Sequence, residues 1–507
     1  MAHTVSCAVR ISTLTVCLAA LYPATAFPQA ASDVSSAATA AAAQAAYVYV
    51  GTTKGVYLYN AASNGSLSLV SGSPFSITGS AVGSNGKYFF SLGTAYLRSY
   101  PVASNGAIKG QASQINTQLY SGSECGTAQG AVLDHTGQDV YVQLYGDQTG
   151  GDQGQCVTLQ SFKLSSSGAL SFLGGTEFAT EVQSGTGGFA TPIKLSGNGS
   201  YAYSASFDHE CFVRIWELKR ESSGAMLFNS NQYLTVPSTP PGWRWLPFVM
   251  TADPTNHLAV AMFGESGDFG PCGDISYPWQ LASFTVAPDG NLATTNTPQN
   301  MPTPQVDAAV LNMSPSGQFL AVGGNESFTV SFGVTQPPGL QVFHFNGANP
   351  ITSFSKVLTT APIDAIRWDN NNHLYALSNS TKKLYAYTVS SSGVTAVPGS
   401  PYTIAAVPNA LVVVPTATAC SAPSSNGVHI CAPTSGSTVS SPVVVKATST
   451  VIARMELWVD GVKKYTATSS KQLNTTISLA AGSHRFSVFA VNTAGQKWQS
   501  IVTATVK

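Results

Sequence analysis

The stretch SPSGQFLAV at residues 314–322 decides the fold, because it joins a tight turn to a strand in which apolar side chains alternate with small or polar ones. The same turn-and-strand unit occurs seven times along the chain. The other six copies are SNGKYFFSL (84–92), HTGQDVYVQ (135–143), GNGSYAYSA (197–205), PTNHLAVAM from Pro254, NNNHLYALS from Asn370 and, without its turn, YVYVGTT from Tyr47. An apolar stretch precedes each turn, and one or two further strands follow it.

Four short strands per unit, repeated at a spacing of about 41–61 residues, predict a radial β-propeller. The first unit has no leading strand, whereas an extra strand, ALVVV (410–414), follows the seventh unit. We therefore expect this late strand to complete the first blade and to close the ring, which removes an open sheet edge. The fold class predicted for residues 47–415 is all-β, a seven-bladed β-propeller.

The first 26 residues have the pattern of a secretory signal. Arg10 supplies a positive charge, ISTLTVCLAALY forms a short apolar core, and Ala24-Thr25-Ala26 offers small residues for cleavage. Lipid attachment at Cys17 is an alternative, although Val16 fits poorly before such a cysteine. Residues 27–46 form an Ala/Ser-rich flexible leader. We expect a secreted, periplasmic or cell-surface protein with no transmembrane segment once the signal is removed.

The C-terminal part is predicted to be a second all-β domain. A Pro/Thr/Ala/Ser-rich linker (416–427) precedes residues 428–507, in which apolar and polar residues alternate, and Asp460-Gly461 marks a tight hairpin. Strands of this number and length favour an antiparallel β-sandwich. The phrase SLAAGSHRFSVFAVNTAGQ resembles the closing hairpin of bacterial immunoglobulin-like modules, which implies a spacer or an adhesive unit.

Six cysteines remain after signal removal, and an even number in an exported chain favours disulfide bonds. Cys420 and Cys431 flank the start of the sandwich and are expected to pair. Of the three pairings open to the other four, we favour those within or between neighbouring blades, namely Cys125–Cys156 and Cys211–Cys272. Metal ligation by these cysteines is the alternative, but no CxxC spacing supports it.

Charge and composition limit the partners. The formal net charge is zero and only 9% of residues are charged, so neither nucleic acid nor an anionic membrane is indicated as a partner. The motifs GxSxG, HExxH, the P-loop and the dinucleotide-binding glycine pattern are absent from the sequence. We expect a monomer that requires no cofactor.

Long loops on one predicted face of the propeller collect polar and aromatic residues, and loops on a rigid scaffold often form binding sites. The candidate ligand-binding residues are Trp243, Arg244, Trp245, Asp208, His209, Glu210, Glu265 and Arg367. Acidic residues that merely keep the loops soluble are the alternative. The Asp208-His209-Glu210 cluster leaves a Ca²⁺ site open as a further alternative.

Charged residues are also predicted on or near the innermost strands. Asp307, Asp364 and Arg367, together with Lys194, are placed where they line the central channel. A structural ion pair or a solvated channel wall is the alternative explanation for these four residues.

The repeated xPxGxxLYV turns and FxVxxxGxL strand pairs resemble those of the seven-bladed lactonase-like propellers typified by 6-phosphogluconolactonase relatives, over residues 47–415. The resemblance implies an Asn-Glu pair after a second strand, and Asn325-Glu326 matches it. It also implies a Pro-His and an Arg-His pair on innermost strands, which this sequence lacks. Lactone opening needs a base and a group that holds the oxyanion. Glu326 is the candidate catalytic base, with Arg244 or Arg367 as the cation.

These observations predict a binding or surface-interaction protein that uses the acidic, aromatic loop face to hold a small carbohydrate, lactone or peptide ligand. Trp243 and Trp245 beside Arg244 suit such a ligand, because aromatic rings stack on apolar faces and the guanidinium pairs with polar groups. A lactone hydrolase, which is a carboxylic-ester hydrolase of the lactonase type, is the alternative. A purely structural envelope protein is the second alternative.

Overall fold

The structure, a computed structural model, describes residues 44–120, 126–134, 137–147, 155–182, 191–207, 213–254, 256–266, 275–416, 423 and 426–507. The chain divides into two compact units, and the second, Ala42–Lys507, contains all of these residues. Its elements are β-strands apart from one 3₁₀ turn at Ser331–Gly333. Within these residues, no helix has the length and apolar character that crossing a bilayer requires.

Among the described residues up to Pro415, thirty-one short strands are present. They are β1 (Gln44–Thr52), β2 (Gly55–Ala62), β3 (Leu67–Leu69), β4 (Ser80–Ser84), β5 (Tyr88–Leu92), β6 (Tyr96–Pro101), β7 (Ser113–Asn116), β8 (Thr127–Leu133), β9 (Asp139–Asp147), β10 (Gln155–Leu164), β11 (Leu170–Val182), β12 (Lys194–Leu195), β13 (Tyr201–Phe207), β14 (Val213–Arg220), β15 (Met226–Gln232), β16 (Trp243–Ala252), β17 (His257–Ser266), β18 (Ile275–Val286), β19 (Leu292–Ala293), β20 (Val310–Met313), β21 (Phe319–Gly324), β22 (Phe328–Thr329), β23 (Thr335–Gln336), β24 (Gly339–His344), β25 (Thr352–Ser353), β26 (Ala365–Trp368), β27 (His373–Ser378), β28 (Lys383–Ser390), β29 (Gly393–Ala396), β30 (Tyr402–Thr403) and β31 (Pro408–Pro415).

The strands form a series of antiparallel sheets, which we number along the chain. Sheet 1 has the order β31-β1-β2-β3, and sheets 2 to 5 take β4–β7, β8–β11, β12–β15 and β16–β19. Sheet 6 contains β20, β21, β24 and β25, and the small β22–β23 hairpin lies in the connection between β21 and β24. Sheet 7 contains β26–β29, with β30 paired to β28. The predicted all-β class is confirmed.

The predicted closing strand is confirmed as well. Strand β31 pairs with β1 in antiparallel register, with Tyr47 opposite Val414 and Val50 opposite Leu411. The first sheet therefore contains the beginning and the end of the region, which covers an edge that would otherwise be open to other chains.

The first strands of the sheets lie beside one another. Strand β31 neighbours β4 and β26, β20 neighbours β16 and β26, and β4 and β16 also contact β8 and β12, respectively. In a four-stranded meander the second-to-third connection and the connection to the next sheet leave at the same edge. We call that edge the loop face, and we call the opposite edge, where the other two connections lie, the turn face.

The turn at Ser314–Gly317 shows why the repeated sequence folds as it does. The Ser314 hydroxyl accepts the N–H of Phe319 at 3.1 Å, and Gly317 adopts a φ of 68°, which favours glycine. The backbone N–H of Gly317 donates to the Ser314 carbonyl at 2.9 Å. The turn thus directs β20 into β21, whose six residues are all buried.

The hydrophobic core lies between the faces of neighbouring sheets. One cluster combines Tyr49 and Val412 of sheet 1 with Phe89 and Tyr100 of sheet 2. Another joins residues of sheets 4, 5 and 6. Each sheet is therefore stabilised mainly by the apolar side chains that it shares with the next.

Hydrogen bonds on the turn face link each of sheets 1 to 4 to the sheet that follows it. We call them turn latches: a tyrosine hydroxyl on a second strand donates to a carbonyl in the third-to-fourth-strand turn of the next sheet. The distances are 2.8–3.0 Å for Tyr49 to Gly106, Tyr88 to Ser166, Tyr141 to Gly224 and Tyr203 to Gly290. Burial raises the pKa of Tyr49, Tyr141 and Tyr203, so these hydroxyls stay donors.

The C-terminal residues form a separate sheet arrangement with its own core. Its strands are β32 (Val428–Ala432), β33 (Thr438–Val439), β34 (Val443–Val459), β35 (Val462–Ile477), β36 (Gly482–Val491) and β37 (Lys497–Val506). The long strand β34 pairs first with β32 and then with β36, and it pairs with β35 along its other edge. Asp460 and Gly461, with φ of 51° and 80°, form the predicted hairpin turn. The immunoglobulin-like assignment and the domain boundaries stay predictions.

Candidate functional site

A cavity of about 590 Å³ opens at the centre of the loop face. Its walls come from sheets 4 to 7, at the inner strands and the connections that lead into them. Five charged side chains line it, and the sequence had placed each of them near the channel or after a second strand: Lys194, Asp307, Glu326, Asp364 and Arg367. The ring geometry thus brings together residues that lie up to about 170 positions apart.

Two of the side chains that line this cavity are basic. Lys194 opens β12 and Arg367 lies in β26, and both side chains are half-buried. Burial and, as a smaller contribution, the positive charge of Arg367 together lower the pKa of Lys194 to about 8. Burial also lowers the pKa of Arg367, whose Nη1 donates to the Ile366 carbonyl at 2.8 Å.

Of the three carboxyl groups that line the cavity, those of Asp307 and Glu326 lie close enough for their charges to interact. Asp307 is only 4% exposed and accepts a hydrogen bond from the Trp279 indole Nε1 at 2.9 Å. Burial raises the pKa of Asp307; the Trp279 bond opposes this effect, and the negative charge of Glu326 adds to it. Asp307 therefore holds its proton to a higher pH than an ordinary aspartate, while Glu326 lies exposed at the rim.

A close backbone approach positions the Asn325-Glu326 segment against Asp307. A Cβ added at Gly324 would lie only 2.5 Å from the Asp307 Cβ, so a larger residue there requires the backbone to move. The Gly324 carbonyl accepts the N–H of Ile363 at 2.9 Å, and Asp364 accepts the N–H of Asn379 at 2.7 Å. The rim of the cavity is thus held between sheets 6 and 7.

Aromatic side chains form an apolar wall. The Trp279 ring lies 5.3 Å from Phe248, edge to face, and 4.8 Å from Phe328. The side-chain oxygen of Gln336 accepts the Trp279 backbone N–H at 2.7 Å, and its amide donates to the Pro304 carbonyl. Phe248 and Phe328 carry no sequence motif that predicts a place in a cavity; the position of Phe328, two residues after Glu326, is the one sequence signal that could indicate it.

The arrangement has a defined chemical capacity. Among the described residues, no salt bridge connects the cations Lys194 and Arg367 with the carboxyl groups of the cavity. The cavity therefore offers a carboxyl with a raised pKa, two further carboxylates and two positive charges beside an aromatic wall. These are the groups that acid–base chemistry on a polar carbonyl compound requires.

The other predicted ligand-binding residues lie elsewhere. Trp243, Arg244 and Trp245 line a second cavity of about 460 Å³ between sheets 4 and 5. Glu265 joins them through Arg244, with Nη2 and Nε at 2.6 and 2.7 Å from the same carboxylate oxygen. We call this cavity the inter-sheet cleft. Of the eight predicted ligand-binding residues, only Arg367 lies in the central cavity, and Asp208, His209 and Glu210 fall outside the described residues.

The disulfide and calcium predictions fall largely outside the described part of the chain. Cys156 and Cys431 are the described cysteines and neither is a free thiol, but Cys125, Cys211, Cys272 and Cys420 lie outside it, so the pairings stay predictions. Across the described ranges, no group of three or more His, Cys, Asp or Glu side chains is arranged to hold a metal ion. A Ca²⁺ site that involves residues 208–210 stays a prediction.

No protein-family model matches the chain, and no curated protein matches it. Among solved structures it is similar to a candidate 6-phosphogluconolactonase from Bacteroides fragilis, with 13% identity over 73% of this chain and 98% of that one, and a TM-score of 0.50. A protein from Lactobacillus plantarum gives 11% identity over 74% and 99% of the two chains, and a TM-score of 0.51. At these identities the likeness concerns the fold alone, a β-propeller.

Proposed function

We propose that the chain is an exported, seven-bladed, lactonase-like β-propeller that hydrolyses a lactone in the central cavity. The observation that carries this proposal is that one cavity holds two basic side chains, Lys194 and Arg367, together with the carboxyl groups of Asp307 and Glu326, and that no salt bridge joins the two kinds among the described residues. The lactonase-like fold of the similar structures supports the reaction class. The signal pattern of residues 1–26 supports export.

Each charged group has a role in the proposed reaction. The exposed Glu326 carboxylate takes a proton from water as the water oxygen attacks the lactone carbonyl carbon. Lys194 and Arg367 stabilise the negative charge that develops on the carbonyl oxygen, an interaction that grows in the transition state. In this proposal the two basic side chains take the place of the histidines in the Pro-His and Arg-His pairs that the resemblance implies and this sequence lacks.

Asp307 completes the proton balance. Because burial raises its pKa, Asp307 is the carboxyl suited to hold a proton and donate it to the ring oxygen as the carbon–oxygen bond breaks. The product is a hydroxy acid, with Glu326 protonated and Asp307 ionised. Since the charges of these two carboxyls influence each other, a proton passed from Glu326 to Asp307 restores the starting state.

The walls indicate a substrate with one apolar face and several polar edges. Trp279, Phe248 and Phe328 suit the flat face of a five- or six-membered ring. The charged groups opposite suit hydroxyl and carbonyl oxygens. A sugar-derived lactone combines these properties better than a simple aliphatic lactone.

The test is proton release by the mature protein on a panel of sugar and aliphatic lactones. We expect Glu326→Gln to lose about 10²–10⁴-fold in kcat/KM, the range that a general base contributes. Because Glu326 is exposed, the melting temperature of the Glu326→Gln variant should equal that of the wild type. Glu221→Gln is the matched control, because Glu221 is exposed on the turn face. Equal turnover in wild type and Glu326→Gln would reject the assigned base, and no turnover on any lactone would reject the hydrolase.

Ligand binding without turnover at the loop face is the second candidate function. The observation that favours it is the inter-sheet cleft, where the Trp243 ring stacks on Tyr277 with centroids 3.8 Å apart. The absence of turnover on lactones, combined with saturable binding of a carbohydrate or peptide, would support this candidate.

A further inference from the structure

The inter-sheet cleft has an aromatic surface with a fixed orientation. The planes of Trp243 and Tyr277 are inclined by 27°, which is a stacked arrangement. A Cβ added at Gly264 would lie 3.3 Å from the Trp243 ring and 3.4 Å from that of Trp245, so both indoles pack tightly over this glycine. An aromatic surface held in this way loses little entropy when a ligand stacks on it.

The polar part of the cleft is a neutral ion pair. Arg244 and Glu265 are joined through two nitrogens and one oxygen, and their side chains are 19% and 13% exposed. The pair offers hydrogen-bond donors and acceptors at the same place without net charge. Hydroxyl groups, which both donate and accept, match this pattern better than a carboxylate or a phosphate does.

A second aromatic side chain lies on the opposite wall. Tyr233 lines the cleft, is 47% exposed and carries the Arg214 guanidinium 5.3 Å from its ring centroid. Trp245, in contrast, is only 6% exposed, and its indole N–H donates to Thr239 at 3.0 Å. Trp245 therefore belongs to the floor, whereas Tyr233 and Trp243 form the walls that a ligand meets.

We propose that the inter-sheet cleft binds one pyranose unit of a neutral oligosaccharide. The apolar face of the sugar ring stacks on an aromatic wall, and its hydroxyls bond to the Arg244–Glu265 pair. A volume of about 460 Å³ accommodates one such ring with its substituents. This inference rests on the proposed binding function and gives it a ligand class; it does not depend on hydrolysis in the central cavity.

The test is titration of the full mature protein with neutral hexasaccharides of glucose and of N-acetylglucosamine. Binding is measured by calorimetry and by tryptophan fluorescence. Tyr233→Ala is expected to raise the dissociation constant about 5–10-fold, the effect of one lost stacking contact. Tyr96→Ala is the matched control, because Tyr96 is 38% exposed on sheet 2 and carries Arg98 at 5.4 Å from its ring. Trp243→Ala is the second variant and is expected to abolish measurable binding.

The possible outcomes distinguish this proposal from lactone hydrolysis in the central cavity and from the general binding function of the loop face. Binding that is about 5–10-fold weaker in Tyr233→Ala, with unchanged affinity in Tyr96→Ala, supports the cleft as a pyranose site, whereas unchanged affinity in Tyr233→Ala overturns it. No binding of either hexasaccharide at millimolar concentration, or tighter binding of an oligogalacturonate, overturns the neutral-sugar assignment. Binding of peptides instead of sugars would keep the binding function and reject this ligand class. Lactone turnover should be unchanged in Tyr233→Ala whichever of these results is obtained.

Discussion

The turn face and the centre of the loop face use buried polar groups in opposite ways. On the turn face Tyr203 is fully buried, and its hydroxyl donates to the Gly290 carbonyl of the next sheet at 2.8 Å. In the central cavity Lys194 and Arg367 lie close enough for their like charges to interact, and within the described residues neither forms a salt bridge.

This difference separates groups that hold the fold from groups that serve a ligand. A buried polar group with a partner inside the protein costs little and fixes one sheet on the next. Two like charges in a partly dehydrated cavity cost folding free energy, and such arrangements are typical of functional sites. The following predictions test whether the polar groups of the turn face stabilise the fold, and whether the charges of the central cavity support turnover at a cost in stability.

Lys194→Met is expected to produce the largest change. Loss of one charge that stabilises the oxyanion lowers kcat/KM by about 10²–10³-fold. The melting temperature should nevertheless rise, because methionine removes a desolvated charge beside Arg367 and fills similar space. Lactone turnover and differential scanning calorimetry on the same preparation measure both effects.

The stability gain has a defined pH dependence. The Lys194 pKa in the folded chain, about 8, lies below the ordinary value of 10.5. Between these two values the unfolded chain binds the proton more tightly, so the wild type gains stability as pH rises. The advantage of Lys194→Met should therefore be largest below about pH 8 and shrink towards pH 10.5. A variant that is less stable than the wild type at neutral pH would contradict the functional interpretation of this charge.

The pH profile of the reaction is expected to show the next largest effect. Because the ammonium form of Lys194 stabilises the oxyanion, kcat/KM should fall about tenfold per pH unit above about pH 8. Lys194→Arg keeps the charge at all these pH values, so its profile should lack that decline even if its rate is lower. Rates are corrected for spontaneous lactone opening. A decline that persists in Lys194→Arg would assign the titration to another group.

The smallest effects are expected at the turn latches. Tyr203→Phe removes the donor and leaves the Gly290 carbonyl in a buried place, at a cost of about 1–3 kcal/mol in the free energy of unfolding. Tyr88→Phe should cost less, because its bond to Ser166 is only partly buried. Neither variant should change kcat/KM. Denaturant unfolding gives the costs; a loss of activity without a loss of stability would show that the two faces are coupled.

Local sequence rules predict the sheets well because each turn and its strands are specified by neighbouring residues. The Ser314–Gly317 turn and the pairing of β31 with β1 follow from the pattern itself. The β22–β23 hairpin and strand β30 do not, since two-residue strands depend on what they pack against rather than on alternation.

The candidate site is only partly predictable for the same reason. Glu326, Asp307 and Lys194 can each be identified from sequence, but their meeting in one cavity depends on the ring. The bond from Trp279 to Asp307 joins two sheets and leaves no local pattern. The turn latches, in contrast, correspond to a local sequence pattern. Tyrosine recurs in the second strand in YVY (47–49), VYV (140–142) and YAY (201–203).

The pairing of β31 with β1 has a consequence for how the protein is made. The Thr416 hydroxyl bonds to the Gln44 carbonyl at 2.7 Å across 372 residues, so the sheet whose synthesis begins first is the last to be completed. A ribosome must therefore release nearly the whole ring before it can close, and contacts this distant in sequence form slowly. A chain that remains open until its last strand emerges can be threaded through a membrane pore before it folds.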